Sequence, residues 1–356
     1  MAQYSAGIIG LGFIGAADQV SGDALGQKVE NLDGTHSAAY ENHPRVDLIA
    51  GSSRDPGRRE RFEQRTNART YELWSDLLEK ESFDIVSVAT YTPYHAEITL
   101  ACVDAGVKAV YCEKPIAVTI DDADRMVEAC DKAGVLLVLN HQKRFNGNHR
   151  KLRDLIASGD LGELTSCNLQ WGNGRLGNVG THMIDGLIML TGRKIERVSA
   201  HLDLAGKPDC RGDAFTDPGG WGTLIMEGGL HVTVDAGDYA TTPPSISING
   251  TLGRVIATPL EATVEMYGHA NQLQGIVERE RSVDSWPTTK TPSGMDIAVD
   301  EIVQHLDGTA PFPYPSEEGR HTFEAIVAMH ASHHKDGQFV DFPLRGDDRT
   351  HEVMSG

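Results

Sequence analysis

Three short groupings of residues carry types that could do chemistry together. Glu113-Lys114-Pro115 follows the apolar run Ala109 to Tyr111, so an acid and a cation stand where a short buried strand stops. Pro115 cannot donate to a sheet ladder and drives Lys114 away from helical geometry, and an X-Pro bond at this place is open to the cis form. In open α/β sheets ligands gather outside the carboxyl ends of the strands, where this lysine would stand. His182 and Asp185 in Gly180-Thr181-His182-Met183-Ile184-Asp185 would share one helical face. There an imidazole can take a proton from a hydroxyl while an acid orients it. Gly10-Leu11-Gly12-Phe13-Ile14-Gly15 directly follows the apolar stretch Ala6 to Ile9. In that context Gly10 permits a tight turn, Gly12 lets backbone approach a pyrophosphate, and Gly15 lets a helix pack on a strand. Each grouping alone has a plain reading: a surface lysine paired with Glu113, a satisfied structural histidine, a glycine-rich turn.

The second strand, Val46 to Ala50, should end in an acid for the ribose hydroxyl if the nucleotide is NAD. It ends instead in Gly51-Ser52-Ser53-Arg54-Asp55-Pro56, with Arg58 and Arg59 following. A serine and arginines suit a 2′-phosphate, which an acid would repel. Ser53, Arg54 and Arg58 therefore favour NADP, with NAD possible through Asp55.

The elements that must position these groups alternate in the first half. Strands at Ala6–Ile9, Val46–Ala50, Asp84–Ala89, Ala109–Tyr111 and Val135–Leu139 are separated by helical patterns. One of these, Ile120 to Lys132, carries Ala123, Met126, Val127 and Cys130 at i, i+3, i+4, i+7 spacing. This alternation means a mostly parallel sheet covered on both faces. The helix expected after the glycine fingerprint is interrupted from Asp18 to Gly34, an insertion of roughly fifteen residues that reads as a surface loop. After Asn140 the pattern changes. Strand-like segments dominate (Leu164–Trp171, Val198–Leu204, Trp221–Met226, His231–Ala236, Ser245–Asn249, Val255–Thr258, Thr263–Tyr267), predicting a second domain on a largely antiparallel sheet. Amphipathic helices around Val299–Leu306 and Arg320–Lys335 and a strand at Phe339–Pro343 close the chain. The expected domains are 1–140, for a dinucleotide, and 141–356, for substrate and oligomer contacts.

With 356 residues, Lys+Arg 32 and Asp+Glu 51, the formal charge is −19, which argues against nucleic acid as a partner because phosphate binding needs a basic face. Five scattered cysteines without a CxxC pair fit reduced thiols in the cytoplasm. No apolar run approaches a membrane span, and a basic leader is not evident at the start. His330, His333 and His334 lack a carboxylate or cysteine set to complete a metal site, so no metal is expected. Neither GxSxG nor HExxH occurs.

Taken together, the segments resemble the glucose–fructose oxidoreductase/inositol dehydrogenase (GFO/IDH/MocA) family over nearly the whole chain. The resemblance rests on Gly10-x-Gly12-x-x-Gly15, Ala89-Thr90-x-Thr92-Pro93-x-x-His95, Cys112-Glu113-Lys114-Pro115 and Arg144-Phe145. It continues in Gly159-x-Leu161-Gly162-Glu163, Gly180-x-His182-x-x-Asp185 and Phe339-Val340-Asp341-Phe342-Pro343. It implies a Rossmann domain, a C-terminal α/β domain whose open sheet often forms oligomer contacts (a homo-dimer or homo-tetramer), and hydride transfer at a ring carbon of a sugar, glycoside or inositol. Carried over, Lys114 touches nicotinamide and substrate hydroxyl, His182 is the acid/base, and Glu113 helps place the cofactor, with Phe13, Ile14, Thr90, Thr92 and His95 beside it. Arg144, Trp171, Asn178 and Asp185 would meet the substrate. The family often has an acid four residues before the histidine; this chain has Asn178, which cannot ionise, leaving Asp185 to partner His182. Two alternatives belong to the same resemblance: a redox-neutral glycoside-cleaving or epimerising enzyme with tightly bound NAD(P), and a non-catalytic NAD(P)/sugar sensor.

Overall fold

The computed structural model describes residues 3–18, 34–204, 212, 215–267, 281–289 and 291–355. All of the expected insertion except Asp18 and Gly34 lies outside the described residues, as does Cys210.

The first sheet consists of β1 (Tyr4–Ile9), β2 (Val46–Ser52), β3 (Arg69–Tyr71), β4 (Ile85–Val88), β5 (Ala109–Cys112) and β6 (Leu136–Leu139). Their order is β3-β2-β1-β4-β5-β6, every pair parallel. This is the doubly wound dinucleotide-binding order, whose switch point lies between β1 and β4. β3, only three residues long, is too short to show an alternation in the sequence.

The helix Ile120–Ala133 illustrates why the local sequence folds as it does. Thr119 caps it by accepting from the Asp122 N–H, Asp121 and Asp122 stand at the positive end of its dipole, and Gly134 closes it at φ 68°. Its apolar stripe, Ala123, Met126, Val127 and Cys130, is buried against the sheet.

The second sheet consists of β7 (Leu164–Gln170), β8 (Ile195–Leu202), β9 (Gly220–Met226), β10 (Leu230–Ala236), β11 (Ser245–Gly250), β12 (Gly253–Ala257), β13 (Glu261–Tyr267), β14 (Arg281–Pro287) and β15 (Val340–Asp341). The order is β14-β13-β12-β11-β7-β10-β9-β8-β15, antiparallel except where β10 meets β7. The expected fold class, a Rossmann domain with a mostly antiparallel open sheet, is the one observed. β14, whose residues are almost all exposed, had no apolar pattern to announce it.

Two late helices carry the second half of the chain back onto the first sheet. Ser316–His333 packs against both, its Gly319 set so tightly on Leu139 that a Cβ there would lie 2.2 Å from Leu139 Cδ1. Arg320 of the same helix donates to Asp124 at 2.6 Å. Gly294–Leu306 returns to the first sheet, burying Met295, Ala298, Val299 and Ile302 in one cluster with Tyr4, Ile8 and Tyr40. An ionic seam pins it there, Arg45 donating to both oxygens of Asp307 at 2.6 Å and Tyr4 Oη–H donating to Asp307 at 2.7 Å.

Candidate active site

A cleft of about 1540 Å³ runs from the carboxyl ends of β1 and β2 to the helix that begins at Thr181. That exceeds the usual drug-sized pocket and leaves room for a dinucleotide and a small substrate. At its origin Gly10 adopts φ 105°, and a Cβ there would meet Ala89 O at 2.4 Å. Gly12, Phe13 and Ile14 line the cleft, while Gly15 does not. A Cβ on Gly15 would lie 1.9 Å from Gly10 O, so this glycine serves the close packing of helix on strand. Thr90 lines the wall with a buried hydroxyl that has no hydrogen-bond partner among the described residues. A glycine cradle at a strand end with a donor waiting beside it fits a dinucleotide.

At the end of β2, Ser53, Arg54 and Arg58 all line the cleft. Asp55 lines it too, but its carboxylate accepts the Arg58 N–H and so caps the helix Pro56–Thr66. Arg54 also lies 5.7 Å from the ring centre of Tyr94. Such a contact holds a guanidinium over an aromatic face.

β5 delivers Glu113 and Lys114, and the Lys114–Pro115 bond is cis. Glu113 is 6% exposed and is held from behind: His36 Nε2 lies 3.1 Å from its Oε1, and Asn140 Nδ2 donates to the same oxygen at 2.5 Å. The network continues inward, His36 Nδ1 to Ser87 Oγ at 2.7 Å and Tyr111 Oη–H to Asn140 at 2.8 Å. Burial raises the Glu113 carboxyl, but hydrogen bonding to His36 and the nearby Lys114 and Asn140 outweigh it, so it sits below its ordinary value. Neither His36 nor Asn140 had a motif to mark it.

Lys114 crosses the cleft, donating from Nζ to the backbone carbonyl of Asn178 at 3.3 Å. Asn178 belongs to a single wide turn, Leu176–Gly180, that feeds directly into the helix Thr181–Thr191 carrying His182. Lys114, Asn178 and His182 therefore border one space with Gln142 and Arg175. Burial, then the charges of Lys114, His141 and Lys143, push His182 well below the usual imidazole value. A neutral ring at neutral pH can accept a proton.

Several expected contacts are placed elsewhere. Arg144, Trp171 and Asp185 do not line the cleft. Trp171 is fully buried and its Nε1–H donates to Gly174 O at 2.7 Å. Asp185, also fully buried, accepts from Arg144 Nε at 2.9 Å and from its terminal nitrogen at 2.6 Å, with His141 Nδ1 at 3.3 Å. The Asp185 carboxylate is thus engaged with Arg144 and His141 rather than His182. Burial drops His141 to about 4 despite Asp185. Thr92 and His95 are likewise outside the cleft; the two His95 ring nitrogens face Pro115 O at 3.0 Å and Thr90 O at 2.9 Å, so this histidine braces the turns on either side. Conversely, Thr288, Thr291 and Ser293, just ahead of the helix Gly294–Leu306, line the cleft; the capping box of Ser293 and Asp296 marks the helix start but not the cleft. Of the late histidines, His333 Nδ1 accepts from the Leu202 N–H and His334 stacks on His351 at 4.9 Å, and among the described residues no three His, Cys, Asp or Glu side chains converge as metal ligands.

Known proteins resemble this chain in both of its halves. Residues 4–141 match the model described as the oxidoreductase family with an NAD-binding Rossmann fold, and residues 149–256 match the GFO/IDH/MocA C-terminal domain. The chain belongs to the GFO/IDH/MocA oxidoreductase family. Among relatives, a myo-inositol 2-dehydrogenase of Thermotoga maritima is 36% identical over 95 residues, 27% of this chain and 28% of that protein. This chain thus aligns with well under half the length of that relative. Among solved structures, the WlbA dehydrogenase from Bordetella pertussis, in complex with NADH and UDP-GlcNAcA, superposes with TM-score 0.74 at 20% identity, over 97% of this chain and 99% of that one. A levoglucosan dehydrogenase in complex with NADH and levoglucosan gives TM-score 0.77 at 18% identity, over 96% of this chain and 100% of that one. At such identities these structures speak for the shared GFO/IDH/MocA fold alone. Among the described residues no helix is long and apolar enough to cross a membrane.

Proposed function

We propose that this chain is an NAD(P)-dependent dehydrogenase or reductase acting on a carbinol carbon of a sugar, glycoside or cyclitol. The observation that carries the reading is the reach of Lys114, from a strand end of the first sheet, to the turn that leads into His182, inside a cleft that starts at the glycine cradle. When bound, the nicotinamide supplies the hydride acceptor or donor. The chain supplies the rest. Lys114, as an ammonium, donates a hydrogen bond to the reacting hydroxyl and orients it; His182, neutral, takes the hydroxyl proton during oxidation and returns it in reduction. Residues 1–140 hold the dinucleotide and residues 141–356 the substrate, with the helix Gly294–Leu306 as a brace between them. The relatives' names, inositol and levoglucosan dehydrogenases, support a polyol or anhydrosugar substrate.

NADP is the favoured dinucleotide in this reading. Ser53, Arg54 and Arg58 line the cleft at the end of β2 and suit a 2′-phosphate by their chemistry, while the Asp55 carboxylate caps a helix. The test is absorbance of reduced nicotinamide while the protein meets a panel of inositols, sugars and glycosides with NAD⁺ and NADP⁺ separately. Reduction with one polyol class supports the reading. No reduction with any polyol, in protein that purifies with its dinucleotide bound, would overturn it in favour of a redox-neutral enzyme.

A further inference from the structure

The turn that meets Lys114 is unusual, and one carboxylate outside the cleft lining holds it. The Val179 and Gly180 N–H groups both donate to Arg175 O, at 2.7 and 3.2 Å, while Arg175 itself sits at φ 63°. Two further N–H groups of the turn point at Asp217: Gly177 N–H donates to Oδ1 at 2.6 Å and Asn178 N–H to Oδ2 at 2.9 Å. Asp217 is 8% exposed. It is fixed in turn by a far segment of the chain, Ser355 Oγ–H donating to Oδ2 at 2.7 Å. Residues on both sides of this arrangement are locked as well. Thr216 N–H donates to Met354 O at 3.1 Å, Leu176 N–H to Pro218 O at 3.0 Å, and Val353 N–H to Val118 O at 3.0 Å. Gly177 admits the tail, since a Cβ there would stand 2.5 Å from the Ser355 Cβ and 2.9 Å from Val353 Cγ1.

The consequence follows from peptide planarity. The Asn178 carbonyl and the Val179 N–H belong to one rigid plane and point in opposite directions. The Val179 N–H is committed to Arg175 O and the Asn178 N–H to Asp217, so both sides of residue 178 are fixed. Its carbonyl then has one direction left, and it meets Lys114 Nζ at 3.3 Å.

We propose that Asp217 is a positioning residue for Lys114, acting through the backbone of Leu176–Gly180, and that Ser355 of the C-terminal tail completes the same device. This rests on the reading of Lys114 as catalytic. A carboxylate accepting two successive backbone N–H groups is a strong, directional clamp. Nothing in the sequence spacing links Asp217 to Lys114 or Ser355 to Asp217.

Asp217→Asn keeps the shape but replaces one acceptor oxygen with an amide NH2, which opposes the Gly177 N–H in one orientation and the Asn178 N–H in the other. Misplacement of a reacting group by an ångström costs on the order of a hundredfold. The expected result is a fall in kcat of about ten- to a hundredfold, with the dissociation constant for the reduced dinucleotide, read by its fluorescence, changed by less than about twofold. Ser355→Ala should lower kcat about threefold, as expected for one lost hydrogen bond of roughly 0.7 kcal/mol. In a Lys114→Ala background Asp217→Asn should lower the residual rate no further, because its effect passes through the lysine. An unchanged kcat in Asp217→Asn, or an equal loss with and without Lys114, would overturn the inference. If Asp217→Asn does not fold, Ser355→Ala decides by its kcat alone, unchanged activity overturning it. An unaffected Lys114→Ala would instead remove the functional reading itself, so the two failures are distinct.

Discussion

His36 Nε2 and Glu113 Oε1 meet 3.1 Å apart in the interior of the first domain, immediately behind the lysine that faces the cleft. His36 opens the helix His36–Asn42, capped by Thr35, which brings a polar side chain directly to the end of β5.

Replacing His36 with Ala removes a donor from a buried carboxylate and leaves Ser87 short of a partner. The expected loss is about 1–3 kcal/mol, read as a lower denaturant midpoint with an unchanged slope. His36→Gln, which retains a donor, should lose less. Because Glu113 is held below its ordinary value, its contribution is present above about pH 4.3, the unfolded carboxyl value, and fades as pH falls through the depressed folded one. The wild type should therefore lose more stability than His36→Ala across that acid range. Equal losses would mean that the pair does not couple.

Arg144→Ala should act on stability before it acts on substrate. It leaves Asp185 buried and without its guanidinium partner, which costs about 3–5 kcal/mol in comparable buried pairs. Thermal unfolding would show this as a large fall in Tm. A stable variant with only a raised KM would mean that the arginine binds substrate after all.

Ser53→Asp should discriminate between dinucleotides. A carboxylate at the end of β2 repels a 2′-phosphate and accepts from a ribose hydroxyl. The expected change is at least about tenfold in kcat/KM against NADP⁺ relative to NAD⁺, the size of one charge-assisted hydrogen bond. Arg54→Ala should move the ratio in the same direction. Initial rates at matched substrate concentration give the comparison, and an unmoved ratio would remove the case for NADP.

His182, pushed down by burial first and then by neighbouring positive charge, is neutral and base-competent at neutral pH. A lowered imidazole value means that the proton returns only on acidification. The acid limb of kcat/KM for oxidation should therefore fall below the unperturbed value of about 6.5, and His182→Gln should abolish that limb while lowering kcat about 10²–10⁴-fold. An acid limb centred above 6.5 would contradict this assignment.

Much of the fold was legible because its signals are local. The glycine fingerprint, the alternating strands and helices, and the proline after Lys114 each mark a backbone event within a few residues. Lys114 and His182 stand out through the short motifs around them and Asn178 through the family resemblance, and all three border one cleft. Arg144 and Asp185 stand in motifs of the resemblance and Trp171 at the end of an expected strand, yet the chain turns their side chains into the core, and a motif does not specify which face of an element it occupies. Asp217, His36 and Asn140 escaped because their partners are backbone groups or side chains far away in sequence, whereas the local capping box of Ser293 and Asp296 marks where a helix starts and not that a cleft lies beside it. No period connects them.

The most direct test of the central claim is single-turnover reduction of NADP⁺ by the best polyol of a panel, in wild type and Lys114→Ala, with dinucleotide affinity measured alongside. Dinucleotide affinity should change little and the hydride-transfer rate should fall by at least about a hundredfold, the scale of a lost general-acid or positioning group. A Lys114→Ala protein that binds dinucleotide and transfers hydride at the wild-type rate would contradict that claim.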